Sequence, residues 1–292
     1  MSKSHRFALV QASGQNAFMD TLDFFHLGHI SADGLHARLA GDPVILLPLG
    51  SQESHGPALP MGDYLTAEIL ARRIAQVVSA RGVPCFTAPC LPFGAADYFG
   101  DIPGGLALSP ASFRAVLVDL IAGLHQSGLT RVIILNGHGG NAAVIHEVTL
   151  GIRQQTGHII PSFYLWKIAR ILMERAKAAP PAAAFGHGGE PLLSLTAALR
   201  GLPGIAPATT VKPETLFGLP VSGFGTLDFR GLPIEVPTQS ATAPKPEPRA
   251  PSLALGAEIA ATLIATASDF VAHIWSLSAP GGRAFSDQSG PP

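Results

Sequence analysis

Apolar residues fall along this chain in two alternating kinds of block. Pro43 to Leu49 (PVILLPL) is a short continuous apolar run bounded by Gly-Asp and Gly-Ser, the pattern of a strand buried on both faces. Asp63 then precedes a stretch whose apolar residues Leu65, Ile69, Leu70, Ile74, Val77 and Val78 mark one face of a helix, which Gly82-Val-Pro ends. A second strand is expected near Cys85 to Cys90. Ser109-Pro110 reads as an N-cap with a first-turn proline, and its helix runs to about Gln126. Arg131 to Leu135 (RVIIL) is a third buried strand, followed by the loop Asn136 to Asn141 and a helix to about Gln155. Strands that alternate with helices and are apolar on both faces predict an α/β fold with a mostly parallel central sheet covered on both sides.

The remaining segments are read more coarsely. Residues 1–28 lack a period and are expected to form an irregular arm, lying on a neighbouring subunit. Ser31 starts a short helical stretch through Leu39, and Ile159 to Trp166 supplies a further strand. Between Pro203 and Pro251 proline, glycine and threonine dominate, which predicts loops and short strands near the site or at a subunit contact. Leu253 to Ile274 is a final amphipathic helix, and residues 277–292 are expected to be disordered. With no internal repeat and no linker, residues 29–276 are taken as one domain.

Composition narrows the function. Hydrophobic residues make up 47% of the 292, charged residues only 13%, and the formal net charge is -1, so a sizeable core is feasible. Nothing there offers a basic field for nucleic acid or a polybasic membrane patch. The N-terminus carries no signal-like apolar run, and no stretch of about 18 apolar residues suggests a membrane span, so the expected setting is cytoplasmic. Cys85 and Cys90 are expected to be buried small apolar residues rather than a disulfide framework.

Candidate chemistry sits after the strands, where parallel sheets place their functional loops. PVILLPL leads into Gly50-Ser-Gln-Glu53-Ser-His55 and then Asp63. RVIIL leads into Asn136-Gly-His138-Gly-Gly-Asn141. A third cluster, Gly186-His187-Gly-Gly-Glu190, opens another helical run. Imidazole together with carboxylate selects Zn, Mn, Fe or Co over calcium. Glu53 and His55 are two apart, so in an extended segment they point the same way and can each hold one of two neighbouring ions, with Asp63 between them. Two competing readings remain open at this point: polar loops that are merely solvated connections, and an NGHGG loop that cradles phosphate through backbone N–H groups without metal.

The same residues carry a family resemblance. GSQESHGPALPMGD resembles the creatininase-family pattern G-S-x-E-x-H-G-P-x-L-P-x-G-x-D, with one residue fewer before the aspartate, and LNGHGGN resembles a loop common in that family. Pro92-Phe93-Gly94, Pro103-Gly104-Gly105 and Leu108-Ser109-Pro110 are similar to its Y-G, P-G-T and L-S-P segments, and GHGGEPLLSLTAAL to its H-A-G-E helix start. The resemblance implies a three-layer α/β/α sandwich, two divalent ions (Zn and/or Mn, with Fe as a further option), hydrolysis of cyclic or linear amide C–N bonds of a small molecule by a metal-bound hydroxide, and a homo-oligomer, the hexamer favoured. It implies that Glu53 and His138 bind one ion, His55 the other, that Asp63 bridges, and that His187 shuttles the proton.

Departures from the pattern matter as much. The glutamate usual two residues after the loop histidine is replaced by Gly140, and the one usual in H-A-G-x-x-E by Leu192, which leaves Glu190 as the expected fifth ligand. Ala96 stands where a serine is usual, and Tyr98-Phe99 replace an acidic and an imidazole residue, so Asp97 and Tyr98 are expected to line the substrate pocket, with Trp166 as a lid residue. Creatinine is therefore not the expected substrate. Peptide trimming, hydrolysis of a cyclic polyol ketone, and a non-catalytic binding protein with a degenerate second metal site are the alternatives.

Overall fold

The computed structural model describes residues 24–39, 41–56, 59–95, 103–202, 215–220, 226–236, 249–277 and 285. The expected alternation is present: α1 (Ala32–Leu39), β1 (Val44–Leu49), α2 (Tyr64–Ala80), β2 (Cys85–Thr87), α3 (Pro110–Gln126), β3 (Arg131–Asn136), α4 (Ala142–Thr156), β4 (Ser162–Tyr164), α5 (Leu165–Glu174) and α6 (Leu192–Arg200). Two short hairpins follow, β5 (Thr215–Leu216) with β6 (Leu219–Pro220) and β7 (Thr226–Phe229) with β8 (Leu232–Glu235), before α7 (Leu253–Leu277).

The main sheet has the order β2-β1-β3-β4, and its pairs are parallel. Its strands read as continuous apolar runs because the pleat sends alternate residues into two separate cores. Val44, Leu46, Ile133 and Leu135 pack under α2, α5, α6 and α7, while Ile45, Leu47, Leu49, Val132 and Ile134 pack under α3 and α4. These side chains are at most 1% exposed, and each contributes roughly 1.5–3 kcal/mol on burial. The result is the three-layer α/β/α sandwich.

Helix boundaries follow local chemistry. The Ser109 side chain accepts the Ser112 N–H at 3.1 Å and Pro110 occupies the first turn of α3, as the sequence predicts. Gly157 and Gly201, at φ 74° and 65°, take the left-handed conformation that closes α4 and α6.

Several expectations shift. The strand sought over Ile159 to Trp166 is confined to Ser162–Tyr164, and the chain then turns into α5, which the sequence reading missed. Leu165, Ala169 and Met173 are its buried residues, a spacing of four that the strand reading overlooked. The second strand stops at Thr87. Cys85 is buried and Cys90 half-buried, and burial pushes both thiols well up, so neither is a ready nucleophile. Of the tail read as disordered, Phe285 is packed: it is buried against the α7 side of the sheet, and its C=O accepts the Ile159 N–H at 2.8 Å. The described end of the N-terminal arm also lies on the chain's own core, through Phe25 and Leu27. Helix α7 is long and apolar enough to cross a bilayer, contrary to the reading that no such stretch exists, yet Leu255, Ile259, Leu263, Ala267 and Val271 form a stripe buried in the core.

Candidate metal centre

The site stands on the carboxyl ends of β1 and β3, adjacent strands at the middle of the sheet. Immediately after β1 the chain passes hard against the start of α2. A Cβ on Gly50 would lie 2.3 Å from Tyr64 Cα and 2.6 Å from Asp63 Oδ1, so only glycine permits the approach. Asp63 occupies the N-cap position of α2, but its side chain does not cap the helix. Instead Oδ1 accepts the Ser51 N–H at 2.6 Å, and Oδ2 lies 3.6 Å from His138 Nδ1 and 3.8 Å from His55 Nε2. An N-cap aspartate diverted from capping has another assignment.

Glu53 is the hub. Its Oε1 is 3.1 Å from His138 Nδ1 and 3.5 Å from His55 Nε2, while the buried Oε2 has no hydrogen-bond partner, nor does the neighbouring Ser51 Oγ. His138 is held from behind: its Nε2 donates to Ala95 O at 3.0 Å and its backbone N–H donates to Asn136 Oδ1 at 3.1 Å. The ring nitrogen facing the carboxylates is therefore Nδ1. Two combinations place one ligand atom per residue within 4.8 Å of one another, Glu53 with Asp63 and His138, and Glu53 with His55 and His187. They share Glu53.

Loop 186–190 lies against the first loop. A Cβ on Gly188 would meet His55 O at 2.3 Å, and His187 Nε2 donates to Ser54 O at 2.6 Å, which fixes the Nε2–H tautomer and puts the ring lone pair on Nδ1. The His187 and His55 ring centroids are 5.2 Å apart. Burial pushes His187 down to about 4 against the pull of Glu53, so the ring is neutral near pH 7.

Electrostatics asks for cations between the carboxylates and the imidazoles. Burial opposes charge on His55 and His138, but Asp63 and Glu53 outweigh it, raising His55 to about 9 and His138 well above its ordinary value. Burial would raise Glu53, yet His138 and His55 hold it well below the carboxylate range. With protons as the only cations, the His55 contribution to stability is complete below the unfolded value of 6.5 and is lost as pH rises through about 9. Melting temperature of chelator-treated protein should accordingly fall between pH 6.5 and 9, and excess Zn should flatten that slope. A profile equally steep with Zn present would deny that metal and proton compete there.

Not every expected residue joins the group. Glu190 is only 1% exposed, but Ser194 Oγ donates to its Oε1 at 2.6 Å, the Ser194 N–H donates to Oε2 at 3.1 Å, and Arg249 Nε lies 3.7 Å from Oε1. It belongs to neither ligand combination. Its carboxylate satisfies a first-turn amide of α6, a role that the Gly-Gly-Glu-Pro spacing alone could not separate from ligation. Asp97 and Tyr98 lie outside the described residues. Trp166 does sit beside the site: its indole N–H donates to Gly137 O, and its ring packs with Leu59, Leu192 and Leu193 into an apolar wall. Asn136, Asn141 and Ala95, which hold His138, went unassigned in the sequence, although the two asparagines bracketing GHGG were visible.

Known proteins resemble this chain in part. The chain is 32% identical over 134 residues to a mycofactocin precursor peptide peptidase of Mycolicibacterium smegmatis, covering 44% of this chain and 51% of that one. It is 33% identical over 106 residues to a 3-dehydro-scyllo-inosose hydrolase of Thermotoga maritima (36% and 33%), and 28% identical over 131 residues to a creatinine amidohydrolase of Pseudomonas putida (44% and 50%). These matches span about half the length of the relatives, or less. In fold, a mutant creatininase described as Zn-Zn type superposes with a TM-score of 0.63 at 21% identity, over 85% of this chain and 97% of the other. The structure described as "Creatininase Mn" gives 0.62 at 22% identity, over 85% and 98%. The family model for creatininase, described as creatinine amidohydrolase, matches residues 29–203, and the chain belongs to that family.

Proposed function

We propose that the chain is a metal-dependent amidohydrolase that cleaves a cyclic or linear amide C–N bond of a small molecule at a dinuclear centre. The observation that carries this is the His138 ring. Its Nε2–H is committed to Ala95 O, so Nδ1 faces Glu53 Oε1 at 3.1 Å and Asp63 Oδ2 at 3.6 Å, a buried point that a proton or a metal ion must fill. Only a cation between them relieves that arrangement, and a histidine whose other nitrogen donates to a backbone carbonyl is the usual posture of a ligand. The partnerless Glu53 Oε2 is a further donor atom for it.

Glu53, Asp63 and His138 would hold one ion, and His55 the second, with Glu53 and Asp63 reaching both. Their N and O donors suit Zn or Mn, with Fe as a further option. Divalent ions held there supply Lewis acidity toward a carbonyl and an activated water. His187, neutral near pH 7 and beside His55, would take the proton that the attacking water gives up and pass it to the departing nitrogen. Beside Gly137, Trp166 packs with Leu59, Leu192 and Leu193 into an apolar wall that would limit water there.

A one-ion reading has its own support, since Gly140 and Leu192 offer no carboxylate and Glu190 is engaged elsewhere. Elemental analysis separates the two. Two ions per chain are expected in the wild type and equally in Glu190→Gln; selective loss of one ion in that variant would return Glu190 to the ligand set. One ion per chain with no turnover of amides, lactams, peptides or cyclic polyol ketones would instead make this a binding protein.

A cytoplasmic homo-oligomer, with the hexamer favoured, completes the proposal. The exposed Phe217, Phe229, Leu232 and Ile234 of the two hairpins support self-association, which light scattering would contradict by reading the mass of one chain.

A further inference from the structure

We propose that Asn141 is a positioning residue for the metal centre, acting through Ala95 and Asn136 on His138. The inference rests on the metal reading of the site. Asn141 is fully buried at the end of the short turn Gly139–Asn141. Its Oδ1 accepts the Ala95 N–H at 2.7 Å, and its Nδ2 donates to Gly50 O at 3.3 Å and to Asn136 Oδ1 at 3.2 Å. One amide thus joins the end of β1, the segment after β2 and the end of β3.

Two of those three partners bear on His138 and the third lies beside Asp63. Ala95 presents the carbonyl that receives the ring Nε2–H, and Asn136 Oδ1 receives the His138 backbone N–H. Gly50 lies beside Asp63, within 2.6 Å of its Oδ1 by a notional Cβ. The packing leaves no slack: a Cβ on Gly94 would come within 2.7 Å of His138 Cδ2, 2.8 Å of Gly50 O and 2.9 Å of Asn141 Oδ1. The backbone N–H of Asn141 donates to His138 O at 3.3 Å, so the amide is itself registered to the ligand it serves. Asn141 touches neither carboxylate. It sets which His138 nitrogen is available and where it points.

The role calls for an amide. An oxygen alone at this position satisfies Ala95 but loses both Nδ2 donations, and a carboxylate places negative charge against the Gly50 and Asn136 oxygens. Asn141→Ala and Asn141→Asp are therefore the informative variants of the full chain. Competition against a chromophoric chelator should show Zn affinity lower by about 10–100-fold, the usual cost of losing a group that orients a ligand histidine. The visible spectrum of the Co(II)-loaded variants should change in band shape, which a purely structural role would leave unmoved. Unchanged affinity and Co(II) spectrum in either folded variant, beside a wild type that binds both ions, overturns the assignment and leaves the metal reading standing. If neither variant folds, Asn141 belongs to the scaffold and the proposal is equally overturned. A wild type that binds neither Zn nor Co(II) defeats the metal reading itself, and this inference with it.

Discussion

Glu53→Gln is expected to strip the protein of metal and of turnover together. Glu53 is common to both ligand combinations, and its Oε1 lies within hydrogen-bond or near-contact distance of two different imidazoles. Glutamine keeps the volume but removes one of the two negative charges that Glu53 and Asp63 bring. It also turns a donor N–H toward a site made for a cation. Affinity should fall by more than the roughly 100-fold that marks loss of a supporting group. Elemental analysis after gel filtration reads the ions directly. The other metal-ligand candidates should lose ions unevenly, His138→Ala sparing the ion beside His55. A Glu53→Gln protein that still carries both ions would remove the centre from this part of the fold.

His187→Gln is expected to do the reverse, slowing chemistry while the ions stay. The glutamine amide reaches the position of the ring Nε2 and can still donate to Ser54 O, so the loop retains its tie to the segment bearing Glu53 and His55, but it cannot carry a proton. Loss of a positioned proton carrier usually costs about 10²–10⁴-fold in kcat. The expected signature is a fall in kcat of that order with Zn content unchanged. His187 shares a ligand combination with Glu53 and His55, so the alternative has a clear mark: ion loss in proportion to activity would make it a ligand rather than a proton carrier.

Much of this was legible in the residues because the same side chains obey both backbone and chemical rules. PVILLPL and VIIL are continuous apolar runs since the sheet is covered on both faces, and the loops directly after them carry the His and Glu that mark the candidate chemistry. Asp63 could be found as a helix start, though not its diversion to Ser51. What the sequence did not show has particular reasons. Glu190 was assigned as the nearest carboxylate, and its engagement by Ser194 and Arg249 depends on where α6 and residue 249 meet, which spacing does not encode. Helix α5 was hidden by the brevity of its buried stripe, Leu165, Ala169 and Met173, directly after a three-residue strand. The support for His138 was missed because Ala95 acts through its carbonyl, and a backbone group leaves no mark in a sequence.

The strand order has one further consequence. From β1 the chain steps to β2 on one side, then crosses back to β3 on the other, so the loops leaving β1 and β3 part in opposite directions at a topological switch point. The candidate metal ligands Glu53, His55, Asp63 and His138 lie on the two lips of that crevice. The departures from the family pattern at residues 96–99 fall instead in the crossover from β2 to β3, and Trp166 follows the outer strand β4. On the proposed function, chemistry and choice of substrate would be carried on separate connections. The crossover is tied to the site only at its start, where Ala95 O holds His138, so residues beyond Ala95 would be free to change with the substrate.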